Sequence, residues 1–363
     1  MIYILAFIIL IGVIVFVHEL GHYLAARSVG VTVEQFSIGM PPTVYNYKSK
    51  NSDTVFSIGA LPLGGYVKLK GMLDENMDSS FTGADDELES KTALQKIWVM
   101  SAGVLMNIIL AFLLFLVIGA INGEKVPINN TTTIEIVQEK SPASKELKVG
   151  DTILSVNNIN VEFFTEFDAI IKKNPNTKLN LLIDRNGKKI EKSITTSSFP
   201  DMNTGRIDRL VGYLGVGKNQ EMKKLEGLTD ALGYGYEETL RWLTITIFSL
   251  KEVFSGNVGR DDVGSIVMIG GIAGDAFKLG LTPFLTIMAI ISINIGIINI
   301  LPIPALDGGH IMVILIEKLL GRPVSVKTRM KIQQIGMYFL LCLMAFLIIN
   351  DLSKIDWKNL FES

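Results

Sequence analysis

The sequence predicts a polytopic α-helical membrane protein of about four transmembrane helices, with a β-hairpin dipping toward the membrane and one inserted α+β domain. Three observations carry this. Charged residues make up 19% of the 363 residues, below the roughly 25% of soluble proteins, and mean hydropathy is +0.39. The apolar surplus gathers in four stretches nearly free of Asp, Glu, Lys and Arg, each near the ~20 residues a helix needs to cross a bilayer. A polar block over roughly 124–224 separates the second from the third and is long enough for a folded domain.

The first span covers about 2–26, interrupted only by His18, Glu19 and His22. Nothing basic precedes it and no small-residue site ends it cleanly, so it reads as a retained helix rather than a cleaved signal. Thr54–Lys70 (TVFSIGALPLGGYVKLK) alternates partly at period two around Pro62 and Gly64-Gly65, which predicts an apolar β-hairpin. Irregular backbone at membrane depth has to pack on protein or line a wet cavity. The second span covers about 97–121 and closes an N-terminal membrane region, 1–123.

An extracytoplasmic domain is expected over 124–200, with strands at Thr132–Val137, Thr152–Val156, Leu179–Ile183 and Ile190–Thr195, a helix over Glu166–Lys173, and Asn186-Gly187 as a hairpin turn. Residues 201–275 read as a linker with amphipathic or interfacial pieces, Leu228–Phe254 and Val263–Gly274. The C-terminal membrane region, 276–363, holds a discontinuous span over about 281–317 and a last one over 332–350. Pro302 and Pro304 break the third span at membrane depth, and Gly308-Gly309 follow Asp307.

Flanking charge sets the orientation. Arg27 follows span 1, and Lys318, Arg322, Lys327, Arg329 and Lys331 follow span 3, so these loops are expected on the cytoplasmic side, with the N-terminus and the 124–224 block outside. Net charge is −2 with no long basic block, which argues against nucleic acid. Cys342 is the sole cysteine, so an intrachain disulfide and a Cys-based zinc site are both excluded. A metal would be held by His and carboxylates.

Two of the three histidines lie in His18-Glu19-Leu20-Gly21-His22. On a helix, positions i and i+4 share a face, so both imidazoles can grip one metal while Glu19 sits beside it. Ionisable groups inside an apolar span cost roughly 2.5–3.5 kcal/mol each for charged types, so this cluster needs a partner. A catalytic zinc keeps three protein ligands and one open position. Asp307 is the preferred third ligand, with His310 as the alternative. A zinc there activates water, and Glu19 can take its proton and pass it to a leaving amine, which is metal-assisted amide hydrolysis. Asn294 and Asn299 are polar groups in span 3 that could grip substrate backbone or stitch helices together.

HExxH in a first span and Asn299-Ile-Leu-Pro302-Ile-Pro304-Ala-Leu-Asp307-Gly-Gly in a late one resemble the site-2 protease family of intramembrane zinc metalloproteases. Ser141-Pro-Ala-Ser through Gly150-Asp151 to Val156-Asn157 resembles PDZ domains, so the insert is expected to be PDZ-like; the bacterial type with a single PDZ domain fits best. The resemblance spans nearly the whole chain. It implies zinc on His18, His22 and Asp307, Glu19 as catalytic base, a membrane-reentrant β-loop carrying Gly64, Gly65 and Tyr66, and Asn294 as a substrate contact. It also implies a multi-pass protein of the cytoplasmic membrane with its active site toward the cytoplasmic side. Substrates would be single-span membrane proteins such as anti-sigma-factor-like proteins or remnant signal peptides. A peptide or processed substrate end would meet the PDZ-like domain by strand addition, and membrane lipid surrounds the rest. Some relatives carry two PDZ domains, where this chain has room for about one.

Two rival classes remain at this stage. Broken helices with buried His and Asp also mark ion paths in transporters, but no internal repeat is visible and a conduit has no need of Glu19. An inactive PDZ scaffold is disfavoured because all four catalytic positions are intact.

Overall fold

A computed structural model describes residues 2–48, 53–72, 82–201, 206–257 and 266–354. Among the described residues, four helices are long and apolar enough to cross a membrane: α1 (Ile2–Ser28), α2 (Ala93–Asn122), α6 (Leu281–Ile300) and, within α8 (Val326–Lys354), Val326–Asp351. Each contains an expected span and extends it by a few residues, except that the third is interrupted. α6 stops at Ile300 and α7 (Asp307–Leu320) begins after six residues of non-helical chain, the discontinuity that Pro302 and Pro304 predict. α5 (Ile266–Leu279) is too short to span, and residues 263–265 of the interfacial piece expected there lie outside the described residues.

The chain divides into two compact units, 1–115 with 252–363, and 116–251. In the first, α1 meets α2 where Gly21 leaves no room for a side chain, since a Cβ there would lie 2.5 Å from Ala102 O. Close approach through small residues is how helices pack in lipid, where no hydrophobic force drives them together. Ala6, Leu10 and Ile14 of α1 share a core with Ala273, Phe284 and Met288. A second core joins Ala25, Ala26, Val31 and Val33 to Leu69, Val99, Met100 and Ala102.

The Thr54–Lys70 segment pairs differently from a self-closed hairpin. β1 (Val33–Lys48) and β2 (Val55–Leu69) form the sheet, and β2 lies along α1. Residues 35–38 of β1 face 55–58 on one side and 68–65 on the other, while 43–48 face 59–55. The two arms of 54–70 therefore each lie against β1, whose residues 35–38 run between them.

The second unit contains the predicted helix and strands, except that of the strand expected over Thr132–Val137 only Ile136–Val137 forms one, with Thr133 making a single bridge to Thr152. β5 (Thr152–Val156), β6 (Ile159–Asn160), β7 (Lys178–Arg185) and β8 (Lys188–Thr195) form a sheet in the order β6-β5-β7-β8, with α3 (Phe164–Lys173) packed on β5. Alternate residues of β5, β7 and β8 (Ile153, Leu179, Leu181, Ile183, Ile194) point into one core with Phe167 and Ile171 of α3. Each fully buried side chain there contributes about 1.5–3 kcal/mol. Asn186 and Gly187 turn with φ of 56° and 79°, the paired left-handed geometry of a two-residue hairpin.

The unit reaches past residue 200. β9 (Ser197–Asp201) pairs with β10 (Arg206–Tyr213), β11 (Val216–Gly217) with β4 (Ile136–Val137), and β12 (Gln220–Lys223) with β3 (Glu124–Pro127). Residues 206–224, expected as linker, are thus part of the folded unit, as is most of α4 (Leu228–Phe254), and residues 202–205 of that linker lie outside the described residues.

Candidate metal centre

α1 carries His18 and His22 one turn apart, both 7% exposed in a helix that is mostly hydrocarbon. Asp307 is the first residue of α7, and the backbone around it is arranged to deliver its carboxylate. Leu301 and Leu306 are extended, and Ala305 adopts φ of 76°. Gly308 and Gly309 press so close to the Ile300–Pro304 backbone that a Cβ at either would lie 2.2–2.4 Å from a carbonyl oxygen. α8 backs the loop: Ala305 N–H donates to Gln333 Oε1 at 2.5 Å.

The three side chains converge. Asp307 Oδ2 lies 3.1 Å from His18 Nε2 and 3.4 Å from His22 Nε2, and the two Nε2 atoms are 3.2 Å apart. Their ligand atoms all fall within 4.8 Å of one another. His22 Nδ1 is 2.8 Å from Val99 O. A carbonyl only accepts, so the proton sits on Nδ1 and the Nε2 lone pair faces the cluster. Asp307 Oδ2 is buried and is left without a hydrogen-bond donor. Lone pairs gathered at this spacing need a cation between them. Two imidazoles and one carboxylate, with the rest of the sphere open, are the donor set of a catalytic zinc, so the residues fit that ion. His310 points elsewhere: its ring nitrogens lie 3.2 and 3.4 Å from Gln333 Nε2.

Glu19 is half-buried beside the sheet. A Cβ on Gly65 would stand 3.4 Å from Glu19 Cγ and 2.6 Å from Ser37 O, so β2 passes the glutamate without room for a side chain. Gly64 next to it adopts φ of 121°, and Tyr66 pairs with Ser37. Asn299 reaches the cluster, its Nδ2 3.3 Å from His18 Nε2. Asn294 is half-buried on the same helix.

Sequence reasoning missed two residues of α2. Gly103 offers bare backbone to both rings, because a Cβ there would lie 2.5 Å from His22 Nε2 and 2.7 Å from His18 Nε2. Asn107 is fully buried with Nδ2 3.3 Å from His18 Nδ1. The signal was a lone amide, four residues after a glycine, in an otherwise apolar span.

A polytopic membrane fold with a His–His–Asp cluster and an adjacent glutamate defines a membrane-embedded metallopeptidase. The family model described as peptidase family M50 matches residues 6–343. The chain belongs to this family, the site-2 proteases, and is a zinc metalloprotease. A Campylobacter jejuni protein named as a candidate zinc metalloprotease is 37% identical over 97% of this chain and 93% of its own length. A similarly named Fusobacterium nucleatum protein is 32% identical over 96% and 98%. The regulator of sigma-W protease RasP of Bacillus subtilis is 27% identical over 97% and 98%. Among solved structures, the PDZ domain of an SdrC-like protein from Listeria innocua is 17% identical, covering 25% of this chain and 97% of its own with a TM-score of 0.21.

Proposed function

We propose that this intramembrane zinc protease cuts single-span membrane proteins, with His18, His22 and Asp307 as its zinc ligands and Glu19 as its base. The supporting observation is the convergence of two Nε2 atoms and a donorless Asp307 oxygen beside Glu19. When bound, zinc supplies Lewis acidity toward water and the scissile carbonyl.

The chain's own residues do the rest. Glu19 accepts a proton from the attacking water and returns it to the departing amine nitrogen. A helical substrate has its carbonyls hydrogen-bonded and must be opened before it can be cut. The edge of β2 at Gly64, Gly65 and Tyr66 is the surface on which the opened segment would lie extended, and the missing side chain at Gly65 lets that backbone approach Glu19. Asn299, and Asn294 farther along α6, would hold substrate amide groups. The β-rich unit and the N-terminus lie outside the cell, the site lies toward the cytoplasm, and the outer unit meets peptide ends or processed substrates.

Glu19→Gln tests the assignment. Its amide cannot accept the water's proton, so the purified variant should keep zinc equal to the parent while cleavage of a single-span substrate falls on the order of 100-fold or more. Retained cleavage removes Glu19 as base, and lost zinc makes it a structural element of the site.

A further inference from the structure

The fully buried Asn107 has one half of its amide against a metal-site imidazole and the other half without a partner. Nδ2 stands 3.3 Å from His18 Nδ1, and Oδ1 is buried with no donor. A buried acceptor left unpaired in this way loses its hydration with nothing in return. The two ends of a carboxamide are set by their neighbours, and rotating the group by half a turn exchanges them. His18 decides which end belongs there. If Nε2 gives its lone pair to a metal, the ring's proton is on Nδ1, and the group facing Nδ1 has to accept.

We propose that Asn107 is a positioning residue for the zinc site, its Oδ1 accepting the Nδ1–H of His18 and so fixing the tautomer and ring plane that aim Nε2 at the metal. The inference rests on His18 being a zinc ligand, as proposed above. His22 is held in the same way by Val99 O, so α2 supplies an acceptor to each imidazole, one from its backbone and one from a side chain. Such outer partners raise ligand basicity and restrict ring rotation.

The surroundings fix Asn107 for this role. Gly103 lies one turn earlier on the same face and brings α2 against both rings. Ser292 Oγ of α6 donates to Asn107 O at 2.8 Å, anchoring the backbone while leaving the side chain to His18. A Cβ on Gly296 would stand 3.4 Å from Asn107 Cβ, so α6 closes the remaining side.

The test is zinc affinity of the detergent-purified full chain, measured by competition with a chromogenic chelator. Asn107→Leu keeps the size and removes the acceptor, and should weaken zinc roughly 10–100-fold. Asn107→Asp keeps the acceptor and should hold zinc as the parent does. Ser292→Ala removes a backbone anchor but leaves the amide in place, so it should weaken zinc clearly less than Asn107→Leu does. Zinc binding by Asn107→Leu equal to the parent overturns the proposal. So does equal weakening in all three variants, which would make Asn107 a packing residue. His18→Ala separates this failure from that of the underlying assignment: if it binds zinc normally, the ligand set itself is wrong. Should Asn107→Leu not fold, the unmutated zinc-loaded protein still decides. A resolved, exchange-protected Nδ1–H resonance for His18 supports the proposal, and one exchanging as freely as an exposed imidazole overturns it.

Discussion

His18 and His22 can meet Asp307 because the helix behind them has a gap where a side chain would be. Gly103 is that gap, and Gly103→Ala would drive a methyl within 2.5–2.7 Å of both Nε2 atoms. Rigid helices cannot absorb this without turning the rings, so zinc should bind more weakly. Activity should fall on the order of 100-fold, the cost of about 1 Å of misplacement at a reacting centre; unchanged zinc content and turnover would refute the packing argument. The third ligand is tested by a pair of variants. Asp307→Asn removes the anionic oxygen facing both imidazoles and should release zinc during dialysis. His310→Ala loses only a contact to Gln333 and should retain it. Metal analysis giving the opposite order would make His310 the ligand.

At the scale of elements, the β-rich unit is tied by charge as well as by its core. Arg185 on β7 donates from Nε and one terminal nitrogen to the two carboxylate oxygens of Asp151, each at 2.7 Å, at the start of β5. Burial alone would raise the Asp151 pKa, but hydrogen bonds from Arg185 and the Lys148 N–H outweigh it and hold the carboxyl below its ordinary 3.8. A depressed acid stabilises the fold above its unfolded value and loses that contribution as pH falls through the native one. Protection of the β5 and β7 amides, taken relative to intrinsic exchange at each pH, should therefore weaken in the full chain as pH drops below 3.8. Asp151→Asn should exchange faster than the parent at neutral pH and converge with it in acid; a constant difference would exclude the ion pair as cause. These strands were legible because β7 alternates cleanly and Asn186-Gly187 marks its turn. β12 was not, since Gln220–Lys223 is exposed throughout and its partner Glu124–Pro127 lies almost a hundred residues earlier. The sheet beside the site was half legible. Alternation and turn residues marked 54–70 as β, but no local signal says that residues 35–38 of β1 run between its arms.

At the scale of the molecule, the spans and the break before Asp307 follow from charge-free length and two prolines, whereas Gly103 and Asn107 acquire meaning only once α1 and α2 are packed together. Orientation is a property of the whole chain, and the positive-inside rule predicts it from Lys318, Arg322, Lys327, Arg329 and Lys331 around the start of α8. One of those charges is fastened to the loop before α2: Arg329 bonds both Glu89 and Glu317 at 2.5 Å, and Lys96 of α2 reaches the same Glu89 at 2.6 Å. Residues 82–96 and 317–329 therefore lie on one side of the membrane, so a single measurement fixes both. Cys342 is replaced by Ser, and one cysteine is placed at either of two exposed positions, Lys189→Cys on β8 or Arg322→Cys between α7 and α8. With a membrane-impermeant maleimide, intact cells should label Lys189→Cys at once and Arg322→Cys only after permeabilisation. The reverse pattern would invert the protein and set the β-rich unit in the cytoplasm. Labelling of both in intact cells would separate the charge-based orientation from the fold, because the ion pairs at Glu89 hold whichever way the chain is inserted.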